Sequence, residues 1–387
     1  MQAMRKVYAD NSSTSFPKAP GVSDSIKDFL DNVGCNVNRG GYEASYNTAL
    51  EILEARKLLC GLFNFNEPIG KPRNVIFTPG ITYSINMILQ GFLKENDHII
   101  TTSMEHNGVM RPLHELSERG VDYSMAECEE DGTLDPQKIA SLFTAKTKAV
   151  IMTHASNVSG TVLPIREVYE ICAPREIKLI IDTAQTAGEL PIDMSYADAI
   201  AFTAHKGLLA AQGLGGFIIK SDFAKKITPI ITGGTGSKSH EILQPDLLPD
   251  KFEAGTINIP AIIGLKKALE YIKAQNPATI HAKKMKLTER FLQAVRDIPG
   301  VVIIGKKDLQ NRISTVSLNF KTIDNAEIAA LLDSDYGIMT RCGLHCAPVA
   351  HKTLKTYPHG TVRFSFGYFN TPGEIDYIAQ AIKEIVR

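Results

Sequence analysis

The strongest constraint on the fold is an alternation, from residue 74 to residue 220, of short β-rich runs with amphipathic stretches. Residues 74–77, 98–102, 149–153, 178–181, 199–203 and 216–220 read as strands, several of them apolar enough to be covered on both faces. Residues 82–93, 109–119 and 165–173 read as helices. In the first of these Ile85, Ile88, Leu89 and Phe92 recur at helical spacing. Strands alternating with helices predict an α/β fold with a mostly parallel, doubly covered sheet, whose ligands sit beyond the carboxyl ends of the strands. After Gly233-Gly234-Thr235-Gly236 the pattern changes to long helices at 259–275 and 278–298, strands at 301–304 and 314–320, and helices at 325–332 and 372–386. This predicts a second, α+β lobe beginning near residue 262.

Composition narrows the function class. The 387 residues contain 42 Lys plus Arg and 42 Asp plus Glu, so no basic excess points to nucleic acid as a partner. No segment approaches the roughly 18 uninterrupted apolar residues of a membrane helix. The opening Met1-Gln2-Ala3-Met4-Arg5-Lys6 leads into no apolar run of the secretory type, so a cytoplasmic location is expected. Six irregularly spaced cysteines do not form a disulfide framework. A soluble, multi-lobed enzyme is the expectation.

The polar residues of interest fall at strand ends. Lys206, in Ala201-Phe202-Thr203-Ala204-His205-Lys206-Gly207, follows an apolar strand. There partial burial would lower its pKa and free the amine for Schiff-base chemistry. On its own it reads as a solvated loop lysine, and its company reverses that reading. Asp182 ends Leu179-Ile180-Ile181 and is either a helix cap or a buried carboxylate that needs a partner, such as the pyridinium nitrogen of pyridoxal phosphate. Thr78-Pro79-Gly80-Ile81-Thr82 is a strand end, a glycine turn and a helix start, a geometry that aims N–H groups at an anion or simply caps the helix through Thr82. Gly233 to Ser239 is not a Walker A motif, because Ser237 stands where glycine is needed before Lys238-Ser239, and no Gly-x-Gly-x-x-Gly opens the sheet. Cys342, His345, Cys346 and His351 lie within ten residues, but zinc bound there would consume the thiolate, and no metal is expected. Cys35, Cys60, Cys128 and Cys172 read as small buried hydrophobes.

Taken in order, these motifs resemble the class V aminotransferase-type enzymes of fold type I, specifically the cysteine desulfurase and selenocysteine lyase group. The resemblance runs from Tyr8-Ala9-Asp10-Asn11 through Asn38-Arg39-Gly40-Gly41-Tyr42, Glu105-His106 and Ser156-Asn157-Val158-Ser159-Gly160. It continues through Asp182-Thr183-Ala184-Gln185, Ala204-His205-Lys206 and Phe252-Glu253-Ala254-Gly255-Thr256 to Gly360-Thr361-Val362-Arg363. It implies an N-terminal arm at 1–15, a large cofactor-binding domain at 16–262 built on a seven-stranded sheet, and a small α+β domain at 263–387. It also implies pyridoxal 5'-phosphate as cofactor and a homodimer with interfacial active sites. Lys206 would bind the cofactor covalently and move protons at the substrate's Cα. Asp182 would pair with the pyridine nitrogen, Gln185 with the phenolic oxygen, and His106 would stack on the ring. Ile81, Thr82, Thr203 and His205 would bind the phosphate, with Thr256 reaching in from a second subunit. Asn157 would sit near the substrate and the phenolic oxygen.

The reaction is implied by Arg341-Cys342-Gly343-Leu344-His345-Cys346-Ala347-Pro348, which resembles the Arg-x-Gly-x-His-Cys-Ala-x-Pro stretch of the second desulfurase group with Pro348 following Ala347 directly. Cys346 matches the cysteine that becomes a persulfide, and Arg341 and His345 would stabilise its thiolate. Arg363 would clamp the substrate carboxylate, with Arg341 and Asn157 also on the substrate side. L-cysteine is the expected substrate and alanine the product, with a sulfur-acceptor protein as a further partner. Selenocysteine or another C–S substrate on the same scaffold is the alternative, and a sulfur-relay or zinc-binding accessory protein is the alternative of another class. The chain departs from the group at Asn107-Gly108-Val109, where His-x-Asn is usual, at 208–212, where a Gly-Pro pair is usual, and at Asn38, where His often precedes Arg39.

Overall fold

The computed structural model describes residues 5–37, 40–66, 71–238 and 240–387. Asn38, Arg39, Ser239 and the first four residues of the expected arm lie outside the described residues. In chain order the strands are β1 (Val7–Tyr8), β2 (Val75–Thr78), β3 (His98–Thr102), β4 (Asp122–Ala126), β5 (Thr147–Thr153), β6 (Lys178–Asp182), β7 (Ala199–Thr203) and β8 (Gly215–Ile219). They continue with β9 (Val301–Ile304), β10 (Thr315–Phe320), β11 (Ile338–Met339), β12 (Arg341–Gly343) and β13 (Thr361–Ser365).

Seven of them form the large sheet in the order β2-β8-β7-β6-β5-β3-β4. β7 through β4 run parallel, and β8 is antiparallel to both its neighbours. Leu179, Ile180 and Ile181 of β6 are fully buried, as a strand covered on both faces requires. Each such side chain contributes about 1.5–3 kcal/mol by leaving water. The helices Ile81–Phe92, Asn107–Ser117 and Ile165–Cys172 make the crossovers at nearly the predicted positions. Pairing is in register where it matters: Thr153 lies opposite Asp182, and Asp182 opposite Ala201, so the carboxyl ends of three central strands form one rim. Gly215 lets that rim meet the turn before the helix Ile81–Phe92, because a Cβ there would lie 2.8 Å from the Gly80 Cα.

The second lobe is the antiparallel sheet β12-β13-β10-β9, packed through its own apolar cluster against the helices Pro277–Val295, Asn325–Tyr336 and Pro372–Ile385. The arm belongs to this lobe, since β1 pairs in parallel with β11, and Val7 and Ala9 are buried in its cluster. The expected division at residue 262 falls inside the helix Ile259–Gln275. That helix buries Ile262, Leu265, Ala268, Leu269 and Ile272 in the large lobe's core. We place the division at Asn276, which has positive φ and separates this helix from Pro277–Val295.

One buried ion pair shields the open edge of the large sheet. On edge strand β2 the outward carbonyl of Val75 accepts a hydrogen bond from Arg56 Nη1, and the outward N–H of Phe77 donates to Glu253 Oε1 at 2.7 Å. Arg56 and Glu253 close the square at 2.7 Å, and the guanidinium lies 4.7 Å from the Phe77 ring centroid. An edge strand otherwise presents such groups to any passing chain. The same Glu253 fixes the segment that carries Thr256. Glu253→Ala leaves Arg56 as an unpaired buried charge and exposes the β2 edge, so a loss of about 3–5 kcal/mol is expected. Urea denaturation checks this, and a loss below about 1 kcal/mol would place the pair among those that contribute little.

Candidate active site

The rim of the large sheet gathers the expected cofactor residues. Asp182, the last residue of β6, is buried; its Oδ1 accepts the Ala184 N–H at 2.8 Å, so it does cap the turn that follows. Burial holds its carboxyl above the ordinary value, with the Lys206 charge acting the other way. Lys206 lies three residues past the end of β7. Among the described residues its amine makes no hydrogen bond or ion pair, and desolvation lowers its pKa to about 8, with Arg363 and Arg341 pushing the same way and Asp182 and Asp10 opposing. Asp182, Arg363, Arg341 and Asp10 therefore all act on this one amine.

His205 is held neutral, its pKa lowered by burial to about 4, and its buried Nδ1 has no partner among the described residues. Ile81 and Thr82 form the first turn of the helix Ile81–Phe92, whose N-cap Gly80 supplies no side-chain cap, and Thr82 is exposed. Thr203 is buried at the end of β7. Gln185 is also buried, and its Nε2 donates to the Ser12 carbonyl at 3.1 Å. His106 caps the helix Asn107–Ser117 by accepting the Gly108 N–H at its Nδ1 (2.9 Å), which fixes the ring's orientation. Burial and then the nearby Lys206 charge lower its pKa to about 4.

The residues expected on the substrate side come mainly from the small lobe. Arg363 on β13 is fully buried; its Nη1 donates to the Asn157 carbonyl at 3.0 Å, and its Nη2 to Asp10 and to Ser13 Oγ, each at 2.7 Å. Arg341 lies opposite Arg363 in the β12–β13 pairing, its Nη1 donating to the same Ser13 hydroxyl at 2.9 Å and its Nη2 lying 3.6 Å from Cys346 Sγ. Cys346 is exposed and borders a cavity of about 270 Å³ with Thr82, His106 and Arg111. Its carbonyl accepts the Asn107 N–H at 2.7 Å, and Asn157 Nδ2 donates to the preceding His345 carbonyl at 2.8 Å. The amide of Asn157 thus ties down the cysteine loop. Thr256 is exposed and lines a different cavity, with Phe77, Tyr83 and Asn258, so within one chain it is not brought to Lys206.

One expectation about the thiol neighbourhood is corrected. His345 turns away from Cys346 into the small lobe, where its Nε2 meets Thr361 Oγ1 at 3.0 Å and burial lowers its pKa to about 2. It is neutral, which leaves Arg341 as the cation at the sulfur. Cys342 follows Arg341 on a strand, so it faces the opposite side and packs against the small lobe's apolar cluster, its pKa raised by burial. The departures from the family pattern are packing changes: Val109, Leu208 and Ala210 are fully buried in apolar clusters, and Asn107 supplies the N–H that holds Cys346. Cys60, Cys128 and Cys172 are buried, while Cys35 is only partly buried, with its sulfur 3.1 Å from Thr48 Oγ1.

Sequence reasoning did not single out Glu105, Asp10 or Ser13 as site residues. Glu105 is completely buried. Its Oε1 accepts from Thr102 Oγ1 and from the Thr153 N–H at 3.1 Å, its Oε2 is unpaired, and burial raises its pKa to about 8. It joins the end of β3, which leads into His106, to the β5 residue paired with Asp182. Its place directly before His106 was the available signal.

Comparison with known proteins matches this arrangement. A family profile described as aminotransferase class-V covers residues 7–378. A probable cysteine desulfurase of Methanothermobacter thermautotrophicus is 31% identical over 98% of this chain and 94% of its own length. One of Borreliella burgdorferi is 30% identical over 98% of this chain and 92% of its own. The apo structure of a cysteine desulfurase from Thermococcus onnurineus superposes with a TM-score of 0.90 at 28% identity, covering 98% of this chain and 94% of that one.

The Glu105 carboxyl gives a pH signature. Its folded pKa is raised to about 8, so the folded state keeps a proton that the unfolded chain releases above the ordinary glutamate value of about 4.5. Stability therefore falls with rising pH across that window, by up to about 1.4 kcal/mol per pH unit. Glu105→Gln keeps the shape without the titration. Its urea midpoint, measured against the parent from pH 5 to pH 8, should gain steadily; a pH-independent difference would show that Glu105 ionises normally.

Proposed function

The chain belongs to the aminotransferase class-V family, and on that premise we propose that it is a pyridoxal phosphate-dependent cysteine desulfurase, converting L-cysteine to L-alanine and passing the sulfur to its own Cys346. The observation that carries this reading is the convergence of an unpartnered, pKa-lowered Lys206 with buried Asp182 on one side and the Arg341–Cys346 contact on the other.

The donor set fits the cofactor. Asp182 is a desolvated carboxylate whose bond to Ala184 leaves acceptor capacity for a pyridinium N–H. The uncapped helix start at Ile81 and Thr82, Thr203 and the orphaned Nδ1 of His205 suit a phosphate, which a helix N-terminus attracts. The amine of Lys206 is free to attach to the aldehyde. The ring of His106, neutral and fixed in orientation, suits stacking, and Gln185 Nε2 has a second proton for the phenolic oxygen. When bound, the cofactor supplies an electron sink that makes the substrate's α-proton acidic. Thr256 reads as a contribution from a second copy, since its cavity is separate, so a homodimer with interfacial sites is part of the reading.

The protein's own groups then divide the work. Arg363 holds the substrate carboxylate and so fixes which bond faces Lys206. Lys206, its pKa lowered to about 8, takes the proton from Cα and returns one during product formation. Arg341 stabilises the Cys346 thiolate, which attacks the substrate sulfur. A sulfur–sulfur bond forms, the carbon–sulfur bond breaks with its electron pair remaining on carbon, and protonation of that carbon yields alanine. The persulfide on the exposed Cys346 is open to an acceptor, which we read as a protein partner. No described helix is long and apolar enough to cross a membrane. None of the six cysteines forms a disulfide among the described residues, and the chain reads as cytoplasmic.

The test is alanine released from L-cysteine by the cofactor-loaded protein with a reductant that clears the persulfide. Alanine should form in step with sulfide. Lys206→Ala should give no turnover, and Cys346→Ala should lose about 10²-fold or more on cysteine. Alanine formation that survives Lys206→Ala would overturn the reading. Turnover of selenocysteine but not of cysteine by the parent would move the assignment to the lyase.

A further inference from the structure

The arm that precedes the large lobe crosses the active site and is fastened at both ends. On the small-lobe side Asn11 N–H donates to the Ser365 carbonyl, and Ser12 N–H to Ser365 Oγ. On the large-lobe side the His205 carbonyl accepts from Ser15 N–H, Thr14 Oγ1 and Lys18 Nζ. The segment 10–13, which includes the small-lobe anchor, touches three groups expected to serve the cofactor or the substrate. The Ser12 carbonyl accepts a hydrogen bond from Gln185 Nε2, and Asp10 Oδ1 and Ser13 Oγ accept from Arg363 Nη2. The Ser13 hydroxyl is saturated: it accepts from Arg341 and from Arg363, and donates to Asp10 Oδ1 at 2.8 Å.

This matters because of how a guanidinium binds a carboxylate. It has two forked faces, Nε with Nη2 and Nη1 with Nη2, and both include Nη2. In Arg363 the two Nη2 protons are committed to Asp10 and Ser13, and one Nη1 proton to Asn157. The remaining donors are the unpaired Nε–H and one Nη1–H, which belong to different faces. As the chain folds, Arg363 cannot receive a carboxylate bidentately.

Resting on the reading of Arg363 as the substrate clamp, we infer that Asp10, held by Ser13, occupies that clamp as an internal carboxylate which the substrate's carboxylate must displace. Asp10 and Ser13 are affinity-determining residues: one carboxylate leaves Nη2 as another arrives, so charge on the buried guanidinium is balanced throughout. The exchange asks only that the Asp10 and Ser13 side chains leave Nη2, because the backbone bonds of Asn11 and Ser12 to Ser365 and of Ser15 to His205 do not involve the Arg363 guanidinium. It selects ligands that carry a carboxylate, since only those repay the lost Asp10 contact.

The test is the affinity of the holoenzyme for L-alanine, which carries the carboxylate and no sulfur, read from the cofactor's absorbance. Asp10→Asn should bind about tenfold more tightly, because a neutral amide competes poorly for a buried guanidinium, and Ser13→Ala about threefold more tightly. Arg363→Ala should bind about a hundredfold more weakly. In the parent, saturation with L-alanine should raise amide hydrogen exchange at Ser13, whose N–H donates to the Asp10 carbonyl, while the anchoring amides of Asn11, Ser12 and Ser15 stay protected. Should Asp10→Asn fold poorly, Ser13→Ala and the exchange measurement decide. Equal or weaker binding in Ser13→Ala, or arm exchange unmoved by L-alanine, with Arg363→Ala still defective, overturns the displacement and leaves the clamp. Unchanged binding in Arg363→Ala overturns the clamp itself, and the displacement with it.

Discussion

The parallel, in-register pairing of β5, β6 and β7 is the constraint on which the rest depends. It sets Thr153, Asp182 and Ala201 side by side at one rim. Each strand is then released into a turn carrying a polar group that solvent cannot fully reach. Asp182 closes β6, His205 and Lys206 follow β7, and Glu105 reaches from beyond β3 to the backbone of Thr153. A slip of one residue would turn Asp182 to the other face of the sheet. The apolar burial along β6 and β7 makes that slip costly, so the core's packing is what aims the site.

Desolvation then gives the site its charge. His106, His205, His345 and His351 all have pKa values lowered by burial, so none contributes a cation at neutral pH. The raised Glu105 carboxyl contributes no anion at neutral pH. What remains is Arg341 and Arg363 with Asp10, beside Lys206 and Asp182, both of which burial shifts toward their neutral forms. A set biased toward cations suits anionic ligands, and the bias is largest on the side where Cys346 lies. Water is excluded from much of this region, which strengthens each pairing relative to the surface.

Much of this was legible in the sequence, for identifiable reasons. The strands of the central sheet are short apolar runs bounded by turns, and Lys206, Asp182 and Thr82 stood out because they sit at the ends of such runs. The edge strand β4 was not legible, since Asp122-Tyr123-Ser124-Met125-Ala126 is largely solvent-facing and carries no clean alternation. The helix Glu43–Leu62 was missed because its buried face includes Ser45, Thr48 and Arg56, which spoil the apolar period. β13 places a buried arginine in the middle of a strand, where sequence patterning expects an apolar residue. Asp10 stands in the Tyr8-Ala9-Asp10-Asn11 motif, but neither it nor Ser13 carries a local signal of a role at Arg363. Their partners are about 350 residues away along the chain, and only the folded arrangement brings the arm across Arg363.

The two moving parts of the proposed chemistry are built to opposite standards. Cys346 sits on a turn in which both it and His345 adopt left-handed backbone conformations, with φ of 57° and 49°. Such conformations cost on the order of 1–3 kcal/mol each for a non-glycine residue, and they persist only where surrounding bonds over-determine them. Here the bonds are the Asn157 amide on the His345 carbonyl, the Asn107 N–H on the Cys346 carbonyl and Arg341 at the sulfur. A thiol held this way presents its sulfur without an ordering step. The carboxylate clamp is instead filled by a short segment of the chain's own arm, tied down on either side but exchangeable in the middle. Rigidity at the nucleophile and exchange at the clamp are compatible because they use different edges of the same arginine pair: Arg341 faces the sulfur through Nη2 while its Nη1 shares Ser13 with Arg363. Arrival of a carboxylate at Arg363 is thereby felt, through one hydroxyl, by the arginine that supports the thiol.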